Sequence, residues 1–109
     1  MQSICNFMLT GKSGKTYRFD VYPKNIQVGN VPALYAFLNR RGNQFSVLYI
    51  GKTTDLAERL SNHHKWEEAT RYGFEYLAIC LRVQARSLDA DEADLIQQYL
   101  PRCNEVVPR

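Results

Sequence analysis

Arg59 and His63 stand four residues apart in "YIGKTTDLAERLSNHHK", residues 49–65, the spacing that puts two side chains on one helical face. A guanidinium offers a planar fork of donors to a phosphate, and an imidazole can give or take a proton near neutral pH. Together they could hold a phosphoryl group; the plainer alternative is an arginine paired with an acidic neighbour and a histidine at a core edge. Glu92 is the second residue out of place. Turning residues 88–100 by about 100° per residue brings Leu88, Leu95 and Tyr99 within about 40° of one another with Ile96 to one side, and Glu92 falls inside that apolar arc. Bare burial of an ionised carboxylate is very costly, so Glu92 must lie at a cleft, pair with an arginine or hold a metal. Tyr35 and Tyr49 lie in adjacent apolar runs and could project to one face. Most strand tyrosines are packing residues with a wet hydroxyl, and a phenol of ordinary pKa about 10 becomes a base near neutrality only beside cations or a metal.

The elements that must position these groups follow from periodicity and turn chemistry. Residues 5–9 and 16–22 flank "TGKSGK" and read as a hairpin, followed by the connector "VYPKNIQVGNVP". "ALYAFL" (33–38) and "SVLYIG" (46–51) make a second hairpin across "NRRGNQF". At Asp55 the period lengthens; Asp55 with Glu58 resembles a capping box, and Leu56 and Leu60 begin a stripe, which predicts a helix over 55–65. "GFEYLAICLRV" (73–83) reads as a buried central strand, and Ser87 can cap a last helix that runs through Leu100 and is stopped by Pro101.

The 109 residues fit one domain with one core. Residues 1–66 hold nine Lys/Arg against three Asp/Glu, whereas residues 67–109 hold five against eight, so an anionic partner would meet the first part. Cys5, Cys80 and Cys103 are odd in number and lack the spacing of a zinc site, which suits a reducing cytoplasm. Neither a secretory leader nor a bilayer-spanning run is visible, so no membrane partner is expected. "GKSGKT" (11–16) and "GKT" (51–53) lack the earlier glycine of a phosphate loop and read as turns; His63 and His64 are too close-set to be a metal pair on one helical face.

Taken in order, "ALY" (33–35), "YIG" (49–51), Lys52, Arg59, His63, Glu92 and "PRCN" (101–104) resemble the GIY-YIG nuclease family over residues 33–104. Arg59 stands ten residues after Tyr49, and Asn104 twelve after Glu92. The end of the chain is similar to the nuclease domain of bacterial excision repair, and His63 is similar to the pattern in homing and restriction endonucleases of the family. The first motif reads "ALY" in place of Gly-Ile-Tyr, which removes backbone freedom but no chemical group.

The resemblance implies an α+β fold: a small central antiparallel three-stranded sheet flanked by helices, residues 31–109, with residues 1–30 as an additional N-terminal β-hairpin within one compact domain. It implies a metal-dependent endonuclease acting on nucleic acid, DNA above all, with Tyr35 or Tyr49 as base, Arg59 as phosphate clamp and His63 as acid/base or orienting residue. Glu92 would be the ligand of one Mg²⁺ or Mn²⁺, because Asp89 and Asp91 project away from it. Lys52, Arg40 and Arg41 would contact substrate, and so would Asn104 unless it is a structural rather than an active-site asparagine. Two other readings are a catalytically inactive nucleic-acid-binding module of the same fold and a protein-interaction domain anchored by exposed tyrosines and Trp66. Monomer and homodimer are both compatible with the sequence.

Overall fold

A computed structural model describes residues 2–81 and 83–104. The elements are β1 (Cys5–Thr10), β2 (Thr16–Pro23), β3 (Ala33–Arg41), β4 (Gln44–Thr53), α1 (Leu56–Ser61), α2 (Trp66–Arg71), β5 (Tyr76–Cys80), a 3₁₀ turn (Ala85–Ser87) and α3 (Leu88–Tyr99). The strands form one five-stranded sheet in the order β1-β2-β5-β3-β4, antiparallel throughout.

The expected three strands, β5-β3-β4, sit side by side, but the N-terminal hairpin is part of the same sheet. Val21 pairs with Ala78, so β2 covers what would otherwise be an open edge of β5. β3 is buried from Ala33 to Leu38 because helices cover both of its faces. Leu56 of α1 and Ala69 of α2 pack with Tyr35, Phe37, Leu77 and Ile79 on one side. Leu88 and Leu95 of α3 pack with Leu34, Ala36, Leu38 and Ile50 on the other.

Three local expectations are corrected. The helix over 55–65 stops at Ser61, whose hydroxyl turns back to the Glu58 carbonyl at 2.7 Å, and a second helix begins at Trp66. "SNHH" contains no strong helix former to bridge the gap. Asp55 does cap α1, its carboxylate accepting the Glu58 N–H at 3.2 Å. The strand expected over 73–83 is confined to Tyr76–Cys80, with Gly73 at φ 91° turning the chain out of α2; Arg82 lies outside the described residues. Ser87 makes no side-chain cap; its hydroxyl donates to the Gln84 carbonyl and to Asp91. Residues 105–109 of the expected nuclease unit also lie outside the described residues.

Candidate active site

Gly51 is not in a turn but in β4, opposite Tyr35 on β3. A Cβ there would stand 2.4 Å from Cζ of Tyr35, so only glycine lets the ring lie across β4. Phe37 pairs with Tyr49 on the same face, and a bulge follows at Phe37/Leu38. Tyr35, Phe37 and Tyr49 thereby form an aromatic floor under His63, whose ring lies 4.9–5.6 Å from theirs.

His63 is in the linker between α1 and α2 rather than on the helix of Arg59, and it is buried. Its Nδ1 accepts the backbone N–H of Lys65 at 3.0 Å, and its Nε2 lies 2.7 Å from the Tyr35 hydroxyl. A backbone amide only donates, so the neutral ring carries its proton on Nε2 and donates it to Tyr35. Burial, with help from His64, Arg59 and Lys65, pushes the His63 pKa down to about 4. At neutral pH the ring is therefore an uncharged donor rather than an acid.

Arg59 is the electrostatic hub of the cluster. Its charge acts on Tyr35, Tyr49, Lys52, His63 and Glu92. Burial pushes both phenols above their ordinary value, and Arg59 pulls both down. A hydrogen bond from Tyr35 also pulls Tyr49 down, while the Glu92 charge pushes it up. Glu92 is half-buried and makes no hydrogen bond or ion pair with another described residue. Burial raises its pKa, Lys52 and Arg59 lower it, and Asp89 raises it. Lys52 is tied to Asp89 at 2.8 Å. Six of the expected site residues, Tyr35, Tyr49, Lys52, Arg59, His63 and Glu92, thus meet where β4 ends between α1 and α3.

The sequence matches no protein-family model and no curated protein. Solved structures do match. The magnesium-bound N-terminal GIY-YIG endonuclease domain of UvrC from Thermotoga maritima is 27% identical, with a TM-score of 0.57 over 71% of this chain and 86% of that chain. An asparagine-to-alanine variant of that domain, bound to its catalytic divalent cation, matches at 25% identity and TM-score 0.58, covering 72% of this chain and 87% of that one. A tyrosine-to-phenylalanine variant, also cation-bound, matches at 26% identity and TM-score 0.57 with the same coverage. This chain has the GIY-YIG nuclease fold.

Within the GIY-YIG fold, the other expected residues are placed apart from the cluster. Asn104, expected as a late structural or active-site asparagine, binds the backbone of Ile50 with both ends of its amide: the Ile50 N–H donates to Oδ1 and Nδ2 donates to the Ile50 carbonyl, each at 2.9 Å. It stitches the edge of β4 and so positions Tyr49 and Gly51. Arg40 and Arg41 lie at the far end of β3, about 17–20 Å along the strand from Tyr35. Arg40 is turned to its own hairpin, donating to the Gly42 carbonyl at 2.9 Å. Trp66 is half-buried against Phe37 and Phe74 and is no exposed anchor.

Asp91, rather than Glu92, faces the core from α3. It accepts from Lys15 at 3.1 Å, the Tyr17 hydroxyl at 3.2 Å and the Ser87 hydroxyl at 3.0 Å. Asp94 takes the Ser13 N–H and hydroxyl at 2.8 Å each and Tyr17 at 2.9 Å. The "GKSGK" loop is therefore an anion cradle filled by a carboxylate of its own chain, and a Cβ on Gly11 would strike Asp94. Its signal was legible in the Asp-x-x-Asp spacing on α3 and in the amide-rich loop, but the pairing is long-range. No group of three or more His, Cys, Asp or Glu gathers as a metal site among the described residues. A magnesium ion nevertheless fits the Glu92 site: a carboxylate with open oxygens suffices for an ion that keeps most of its waters.

Proposed function

We propose that this chain is a metal-dependent endonuclease of the GIY-YIG type that hydrolyses phosphodiester bonds in nucleic acid, DNA foremost. Residues 31–109 form the nuclease unit, and residues 1–30 brace it through α3. The observation that carries this reading is the convergence of Tyr49, Arg59 and the Glu92 carboxylate, which has no hydrogen bond or ion pair among the described residues, on one half-buried site in the fold shared with the cation-bound domain of UvrC.

Phosphodiester hydrolysis needs a placed water, a base, neutralisation of the phosphoryl oxygens and help for the leaving oxygen. Arg59, exposed on α1, clamps the non-bridging oxygens. Glu92 would hold one Mg²⁺ or Mn²⁺, whose charge would be supplied to the phosphoryl and leaving oxygens. His63 Nε2–H donates to Tyr35, and Tyr35 hands its own proton toward Tyr49. The Tyr35 hydroxyl thus donates to the Tyr49 oxygen, and that bond and the Arg59 charge favour the charged phenol against burial and the Glu92 charge, which push its pKa up. Tyr49 is therefore the base and Tyr35 the residue that orients it. Lys52, held by Asp89, adds positive charge beside the scissile group. Cys5, Cys80 and Cys103 form no disulfide, consistent with a cytoplasmic setting, and no helix of the described residues is long and apolar enough to cross a membrane.

The test is cleavage of labelled duplex, single-stranded and branched DNA by the wild type and Glu92→Ala, each with Mg²⁺ and with chelator. Cutting by the wild type with metal alone supports the reading. Salt-sensitive binding without cutting in any combination replaces it with a non-catalytic binding module.

A further inference from the structure

A cleft of about 480 Å³ lies at the other end of the β4–α3 seam, bounded by Ser46 to Leu48 of β4 and by Tyr99 to Arg102. Three arginines reach it from three parts of the chain: Arg41 from the end of β3, Arg71 from the last turn of α2, and Arg102 from the segment after α3. Among the described residues none that lines it is acidic, and none of the three arginines is in an ion pair. Arg102 stacks on the ring of Tyr72 with Cζ 3.8 Å from its centroid, which fixes one guanidinium plane at the wall. Asn39, in the same wall, donates to the Tyr72 carbonyl at 3.1 Å, while its buried Oδ1 has no partner among the described residues.

Arginines at helix ends often do no more than offset helix dipoles, and Arg71 alone would fit that account. Arg41 does not, because it comes from a strand. Three guanidinium groups around one concavity, with no carboxylate partner among the described residues, concentrate positive potential that an anion would answer.

We propose that this cleft is a second anchor for the substrate strand, binding its phosphodiester backbone away from the bond that is cut. The proposal rests on the nuclease reading above. α3 runs antiparallel to β4, with Asp89 beside Lys52 at one end and Leu100 in the cleft at the other, so both sites open along one seam. Arg41 stands six residues beyond Tyr35 on β3, about 20 Å at strand spacing. At 3.4 Å per nucleotide of a duplex strand, that is about six nucleotides. A strand gripped at both places is held in register, and short products that reach only the active site are released.

The experiment uses the Arg41→Gln/Arg71→Gln double variant, since both side chains are exposed. Anisotropy of a fluorescein-labelled 20-nucleotide duplex, and of its single strand, is titrated in chelator across a salt series. Cleavage of the same duplex is then followed in Mg²⁺. The expected result is about a 10-fold weaker binding and KM, kcat within twofold, and a salt slope shallower by about two, one for each lost phosphate contact. On a duplex ending about three nucleotides from the cut, wild type and variant should not differ. Arg41→Lys/Arg71→Lys, which keeps both charges, should restore the slope; failure to restore it, or an unchanged slope and KM in the glutamine variant, overturns the proposal. If the wild type cuts nothing, the nuclease reading fails, while the anisotropy series still decides whether the cleft binds phosphates.

Discussion

Asp91 and Glu92 are neighbours on α3, about 100° apart around its axis, and they live in opposite surroundings. Asp91 is buried and takes bonds from Lys15, Tyr17 and Ser87, so a charge that would otherwise be expensive inside the protein is satisfied there. Glu92 is half-buried with neither a hydrogen bond nor an ion pair among the described residues. One helix thus gives one carboxylate to architecture and, on the proposed reading, another to chemistry. The difference lies in the partners as well as in depth: the Asp91 oxygens are already occupied by Lys15, Tyr17 and Ser87, whereas those of Glu92 have no hydrogen-bond partner among the described residues.

The comparison can be broken from either side. Arg59→Ala should have the largest effect, lowering kcat by about 10²–10³-fold through lost stabilisation of phosphoryl charge, with an unchanged melting temperature because Arg59 is exposed. A lower melting temperature with near-normal kcat would make Arg59 structural.

His63 supplies the next effect. Its pKa falls from 6.5 to about 4 on folding, so between those pH values the unfolded chain holds a proton that the folded chain does not. Stability is full above pH 6.5 and declines on acidification, reaching a loss of about 3 kcal/mol near pH 4. Urea denaturation across that window should show a steeper decline for the wild type than for His63→Gln, and equal declines would mean that the ring is solvated.

Tyr17→Phe removes the hydroxyl shared by Asp91 and Asp94. It should cost about 1–3 kcal/mol in urea melts, with kcat retained well below the transition. The smallest change is expected at Asp89, whose side chain is 89% exposed where it meets Lys52. Asp89→Ala should shift stability by less than about 0.5 kcal/mol.

What the sequence disclosed was what is local in the chain. Tyr49, Gly51, Lys52 and Arg59 lie within eleven residues, and strand and helix periods place them together without any long-range knowledge. The central strands and α3 were legible for the same reason. His63 was misplaced because the 3.6-residue period was carried through "SNHH", where the helix in fact ends. Glu92 was read as the carboxylate facing the core because the helical projection took Tyr99 as buried; Tyr99 is 36% exposed, and the buried arc runs through Leu88, Asp91 and Leu95 instead. The partners that allow Asp91 inside come from Lys15 and Tyr17, more than seventy residues away, and although the Asp-x-x-Asp spacing hints at a polar role, nothing within α3 says which distant residues answer it. Asn104 was legible as a residue type at a spacing, but its role in holding Ile50 depends on where the chain returns to the edge of β4.

The most direct test of the division along α3 is thermal melting of the wild type, Glu92→Gln and Asp91→Asn, each with Mg²⁺ and with chelator. The wild type should melt higher with Mg²⁺, as a ligand bound to the folded state requires. Glu92→Gln should melt no lower than the wild type in chelator and gain nothing from the ion, whereas Asp91→Asn should melt lower yet keep the gain. A Glu92→Gln protein that gains as much from Mg²⁺ as the wild type would contradict the assignment of the open carboxylate to the metal.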